Sequence, residues 1–210
     1  MANVSNPFGF SEYSGMGTTP AFEQQRVWIQ YNASAIYYGD PVLATTGGYV
    51  VRAASTGATP STSTAVYGIF LGCKYLSVSQ KRTVWSNYWP GSDVASGNLV
   101  EGLVVNHPTA KFRAQTDSTG FSLSAINSTV GFVIGTGNVN NNGISGAYLD
   151  STTLNTSSYV QYAPFKVYDL IYDPPGAQGT TAFPPTTTAT PYNTAIVGFN
   201  EAFTRDLYNF

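Results

Sequence analysis

The chain of 210 residues sets 9 Lys+Arg against 11 Asp+Glu, a formal charge of −2, with 14% aromatic and only 10% charged residues. That balance gives no basic footprint for nucleic acid, and so many rings exclude global disorder. Ordinary soluble domains are about 25% charged, so neutral polar groups must cover this surface, as suits a subunit that buries much of it against copies of itself or another assembly.

Residues 1–25 read as an extended arm, in which Pro7, Gly9, Gly15, Gly17 and Pro20 are interleaved with Phe8, Phe10, Tyr13 and Phe22. Four large rings are costly to leave in water, so the arm is expected to dock on a neighbouring surface. The segment 26–31 alternates Val27, Ile29 and Tyr31 with Arg26, Trp28 and Gln30, the period of a half-buried strand. Gly39-Asp40-Pro41 predicts a turn, 42–44 a short strand, and Gly47-Gly48 a hairpin turn into 49–54. A Ser/Thr/Gly/Pro loop over 55–64 follows.

The organising stretch is 66–91, VYGIFLGCKYLSVSQKRTVWSNYWPG. The run 66–73 is too short for a comfortable helix and is weakened as one by Gly68 and Gly72, so it reads as a strand buried on both faces. The run 83–89 pairs back on it across the polar link 77–82, and Pro90-Gly91 closes the stretch with a type II turn.

Further strands are predicted over 99–105, 111–115 and 131–135. His107-Pro108 is a break, 121–127 forms one helical turn, and 138–143 is a loop. The segment 159–172 holds a long strand after Pro164, with Phe165, Val167 and Ile171 on one face. The Pro/Thr-rich stretch 173–191 is an extended excursion, 195–199 a last strand, and the chain closes on an aromatic tail with Phe203, Tyr208 and Phe210. Turn signals every 8–12 residues, without helix–strand alternation, predict an all-β antiparallel sandwich or barrel (jelly-roll or β-tulip-like) with little helix. The organisation is an arm (1–25), a β body (26–172), and an excursion with last strand and tail (173–210).

Chemistry is sparse. Cys73 is the only cysteine and lies in an apolar run, so it reads as a buried small hydrophobe. His107 is the only imidazole, and no nucleophile motif accompanies it. One His and one Cys exclude a His/Cys metal cluster, and Asp150, Asp169 and Asp173 are too scattered for a D-x-D-x-D-G calcium loop, which leaves only a site built on loop carbonyls open. Eleven acidic residues leave a carboxylate pair formally open. Neither a cofactor nor enzymatic activity is expected. Trp85, Tyr88 and Trp89 offer two readings: a flat stacking platform for a glycan, with Asn87 at its edge, or packing at a corner or subunit contact. No apolar run reaches the length of a membrane span, and MANVSNPFGFSEY has neither the charged nor the apolar region of a secretory signal. Synthesis in a cytoplasm, without use of the Asn-x-Ser/Thr triplets at Asn3, Asn32, Asn127 and Asn155, is the expectation.

The opening MANVSNPFGF, GDPV at 39–42, GGYVVRA at 47–53, YGIFLGCKY at 67–75, VWSNYWPG at 84–91 and FRAQTD at 112–117 together resemble a family of tailed-bacteriophage structural proteins that decorate or cement the head. The resemblance covers the first two-thirds of the chain. It implies a virion protein without enzymatic activity that binds the outer surface of the capsid, with the major capsid protein and copies of itself, often as a trimer, for partners. On this reading the arm (Phe8, Phe10, Phe22), the corner (Trp85, Tyr88, Trp89) and the tail (Phe203, Tyr208, Phe210) reach onto neighbours, and removal of residues 1–12 spares the body. The alternative is a glycan- or host-receptor-binding virion module using Trp85, Tyr88 and Trp89.

Overall fold

A computed structural model describes residues 3–14, 24–55, 66–136, 142–154, 163–171 and 189–200. Phe22, Phe203, Tyr208, Phe210 and nearly all of the 173–191 excursion lie outside them. Twelve strands make up almost all the regular structure: β1 (Ser11–Ser14), β2 (Gln24–Ile29), β3 (Pro41–Ala44), β4 (Val50–Arg52), β5 (Gly68–Ser77), β6 (Arg82–Ser86), β7 (Val100–Val105), β8 (Lys111–Gln115), β9 (Thr129–Val133), β10 (Tyr148–Asp150), β11 (Phe165–Leu170) and β12 (Thr194–Phe199). Two antiparallel six-stranded sheets pack as a sandwich. The first runs β1-β8-β12-β11-β9-β10; the second runs β2-β7-β5-β3-β4, with β6 also paired to β5. The helical turn expected over 121–127 is a single 3-10 turn, Leu123–Ala125.

Between the sheets lies a phenylalanine core. Phe112, Phe132, Phe165 and Phe199 of the first sheet are all buried, and Ile69 and Val105 face them from the second. Phe10 of the arm completes this cluster. It is 0% exposed, stacks on Phe165 at 4.5 Å between centroids, and meets Phe132 edge-on at 6.1 Å. The expected docking of the arm on another subunit is corrected at this residue, because its ring is a core residue of its own chain. β1 pairs with β8 at the sheet edge. Upstream, the side-chain amide of Gln115 accepts from Asn6 N at 2.9 Å and donates to Val4 O at 2.9 Å.

The second sheet contributes to two cores. It curls until β2 meets the chain just before β4 through a Trp28–Tyr49 bridge. Its inner face holds Val27, Ile29, Val42, Val50, Phe70, Cys73, Tyr75, Val100 and Val104. Strand β5 serves both cores, Ile69 in one and Phe70, Cys73 and Tyr75 in the other. Plain alternation would not put residues 70 and 73 on one face. A bulge between Phe70 and Gly72 in the pairing with β7 resets the parity. Gly72 is required there: a Cβ would stand 2.8 Å from Ser86 O.

Three other details differ from the sequence reading. β1 and β10 are strands where none was predicted, each being short. β9 starts two residues earlier than predicted. A bulge between Val167 and Asp169 turns Leu170, not Ile171, into the core beside Phe165 and Val167.

Phe10→Ala should cost about 3–5 kcal/mol, because a buried ring is removed and its cavity stays lined by rigid sheet. Urea denaturation of the variant reads this directly. Deletion of residues 1–12 should destabilise the body for the same reason.

Candidate functional site

The ring residues predicted to act together are dispersed. Trp89 is 0% exposed and closes one end of the curled sheet. It exchanges backbone hydrogen bonds with Ile36, donates Nε1–H to Ala33 O at 3.1 Å, and meets Tyr75 edge-on at 5.2 Å. Tyr88 stacks on Tyr37 at 6.0 Å. Trp85 alone points outward, 66% exposed. The flat three-ring platform, and Trp89 as an interface residue, are therefore corrected: β6 ends at Ser86, so its alternation does not carry on to residue 89, and the bridge to Ile36 sends Trp89 inward. In the arm, Phe8 is half-buried under the Arg113 guanidinium, 5.7 Å from the ring.

Polar side chains mostly serve structure. His107 Nδ1 lies 2.7 Å from Thr109 Oγ1 in an exposed turn. Asp117 accepts from Thr119 N, Gly120 N and Ser151, and Asp150 from Thr152, the usual way such side chains fix turns. Among the described residues no three His, Cys, Asp or Glu side chains gather to hold a metal. Cys73 is buried, donates to Tyr88 O at 3.3 Å, and burial pushes its thiol up to about 12.

Asp40 anchors the densest polar cluster. It is 0% exposed and forms an ion pair with Arg52 Nε at 2.7 Å. It also accepts from Tyr37 N at 2.8 Å and Ser145 Oγ at 2.5 Å. Arg52 Nη2 donates onward to Gly135 O at 3.0 Å. Burial raises the Asp40 carboxyl above its usual range, against the lowering pull of Arg52, Ser145 and Tyr37. Every oxygen is engaged, so the cluster holds four chain segments together.

Two surface features remain. One is a cleft of about 300 Å³ at the seam where β2 approaches β4, lined by Gln25, Arg26, Trp28, Tyr49 and Tyr67 among others. The other is the β5–β6 hairpin, which projects beyond the strands flanking it. Its inward face carries Cys73, Tyr75 and Val84 against the curled core. Its outward face carries Lys74 and Leu76 of β5, opposite Trp85 and Thr83 of β6. Leu76 is 54% and Val78 55% exposed, and Lys74 Nζ lies 5.0 Å from the Trp85 ring centroid. The tip is braced from behind by Asp93, whose carboxylate accepts from Ser77 Oγ at 2.5 Å and Ser79 N at 2.8 Å. Those hydrogen bonds lower its pKa. Trp85 was legible in the sequence as a contact candidate. Leu76 and Val78 were not singled out, and the signal that exposes them is the parity of the strand once Cys73 and Tyr75 are placed inside.

No family model, curated protein or solved structure matches this chain.

Asp40 gives a pH signature. A carboxyl whose pKa is raised on folding binds its proton more tightly in the folded state. Its contribution is full below the ordinary Asp value of about 4 and is lost as pH rises through the elevated one. The stability of the protein relative to Asp40→Asn should therefore fall as pH rises above the ordinary Asp value of about 4, read by denaturant melts at stepped pH. A difference that grows with pH would contradict this account.

Proposed function

We propose that this protein is a non-enzymatic assembly subunit of the virion-decoration kind, binding the outer surface of a capsid shell as a homo-oligomer. The observation that carries the reading is the β5–β6 hairpin. Three of the nine large hydrophobic side chains exposed among the described residues, Leu76, Val78 and Trp85, stand on this one braced element. Scattered exposed apolar groups are ordinary, whereas grouped ones mark an interaction surface. Indole is also the ring most enriched where binding energy concentrates. The low charge of the chain and the ordered set of motifs from 1 to 117 that resembles head-decoration proteins support the same reading.

The body suits such work. A curled sheet filled on its inner face and a sandwich filled by phenylalanines make a rigid platform, and a rigid surface loses little entropy on docking. The polar turns around Asp117 and Asp150 are satisfied internally, so they need no ligand to stay in place.

A saccharide-binding reading has one observation in its favour, the seam cleft, where Trp28 is 40% exposed beside Tyr49 and Tyr67. It is second, because the Arg26 guanidinium already lies 5.9 Å from the Trp28 ring centroid while reaching Glu101 at 3.4 Å.

The test is sedimentation with shells assembled by the parent virus in the absence of this protein. Saturable co-sedimentation is expected. Protein that stays in the supernatant at every shell concentration, while binding host-surface polysaccharide, would exchange the first reading for the second.

A further inference from the structure

We infer that the β5–β6 hairpin is the docking finger of this protein and that its partner is an acidic protein surface with an apolar groove. This rests on the assembly reading above and adds which surface docks and what it meets.

The geometry comes first. A hairpin that pairs with its own sheet through β5 alone leaves the outer edge of β6 without a partner strand among the described residues. Edge strands of this kind are sites where another chain can lie alongside. The outward face presents Leu76 and Trp85 together, with Val78 at the start of the turn. The tip is held: Val78 N donates to Asp93 O at 3.0 Å, Gln80 N to Ser77 Oγ at 3.0 Å, and Arg82 bonds twice to Gln80 Oε1. A braced tip keeps its shape before contact, and that preorganisation favours tight docking.

The charge names the partner. Residues 74–85, KYLSVSQKRTVW, hold Lys74, Lys81 and Arg82, three of the chain's 9 basic residues, and none of its 11 acidic ones. Of the carboxylates beside the finger, Glu101, opposite Lys74 in the β5–β7 pairing, is paired with Arg26, and Asp93 stays charged behind the tip, held there by Ser77 and Ser79 on the side away from Trp85 and Leu76. In a molecule of net charge −2 this is a local concentration of positive charge around an apolar ridge. The complementary surface is a groove that accepts Trp85, Leu76 and Val78, rimmed by Asp and Glu for Lys81 and Arg82. Complementary charge at the rim sets approach and register, while the buried indole supplies the affinity.

The experiment uses the full-length protein and shells that lack it. Trp85→Ala should weaken co-sedimentation by about tenfold or more. The pair Lys81→Glu with Arg82→Glu should weaken it by a similar factor. Wild-type binding should weaken as NaCl rises from about 50 mM to about 500 mM, where exposed charges are screened within a few ångströms. Leu123→Ala, at an exposed position on the first sheet's 3-10 turn, should bind as wild type. Melting curves check that each variant is folded. Thr83→Cys carrying a maleimide-benzophenone should photo-crosslink to the shell protein, since buried Cys73 does not compete for the label. Wild type that fails to bind overturns the assembly reading and the finger with it. Wild-type binding matched by Trp85→Ala, or a Thr83 crosslink only within this chain, overturns the finger alone. Binding lost with Trp85→Ala but indifferent to charge reversal and salt overturns the acidic partner.

Discussion

The arm and both sheets meet at Gly39 and Asp40, and the architecture depends on that junction. Gly39 O accepts from Phe10 N at 2.9 Å, Gly39 N donates to Phe70 O at 2.8 Å, and Phe70 N returns to Asp40 O at 2.9 Å. The Asp40 side chain then gathers Arg52 from β4 and Ser145 from the chain before β10. Gly39 has φ +84, and a Cβ there would stand 3.0 Å from Phe10 N. Only glycine gives that backbone at no steric cost while admitting the arm. A buried ion pair of this kind adds little net stability over an apolar replacement, yet breaking one partner leaves a stranded charge. Its value here is positional: it fixes where four segments cross.

From that junction β5 runs outward with a double task. Its first half must fill two cores at once, and the bulge near Gly72 is the device that permits it. Beyond Tyr75 the strand continues into the hairpin, its Leu76 exposed on the outward face while Ser77 stays buried against the segment at Asp93 and Val94. The same strand is therefore anchored in the densest part of the molecule and exposed at its far end. Rigidity at the root is what gives the exposed tip a defined shape.

Much of this architecture was legible in the sequence. Strong β patterning placed β2, β5, β7, β8 and β12 within a residue or a few, because burial on one or both faces writes itself into alternation or apolar runs. Gly47-Gly48 and Pro90-Gly91 marked turns through backbone chemistry alone. The losses have common causes. β1 is a short edge strand whose partner β8 is distant in the chain, and β10 is an edge strand of three residues, too short to write a pattern. The two bulges reset parity, so Ile171 was misplaced and Leu170 overlooked. Trp89 looked exposed beside Tyr88 because nothing local reveals the bridge to Ile36. Asp40 read as a turn residue, since Arg52 and Ser145 reach it only after folding.

Phe10 carries a consequence for the newborn chain. The ring leaves the ribosome well before its stacking partner Phe165 and the strand β12 that completes the first sheet. Asn3 and its acceptor Pro191 are 188 positions apart. At roughly 5–20 residues per second, an interval on the order of ten to forty seconds separates those two residues. Until then Phe10 lacks its stacking partner, while the second sheet, whose pairings all fall before residue 106, already has every strand it needs.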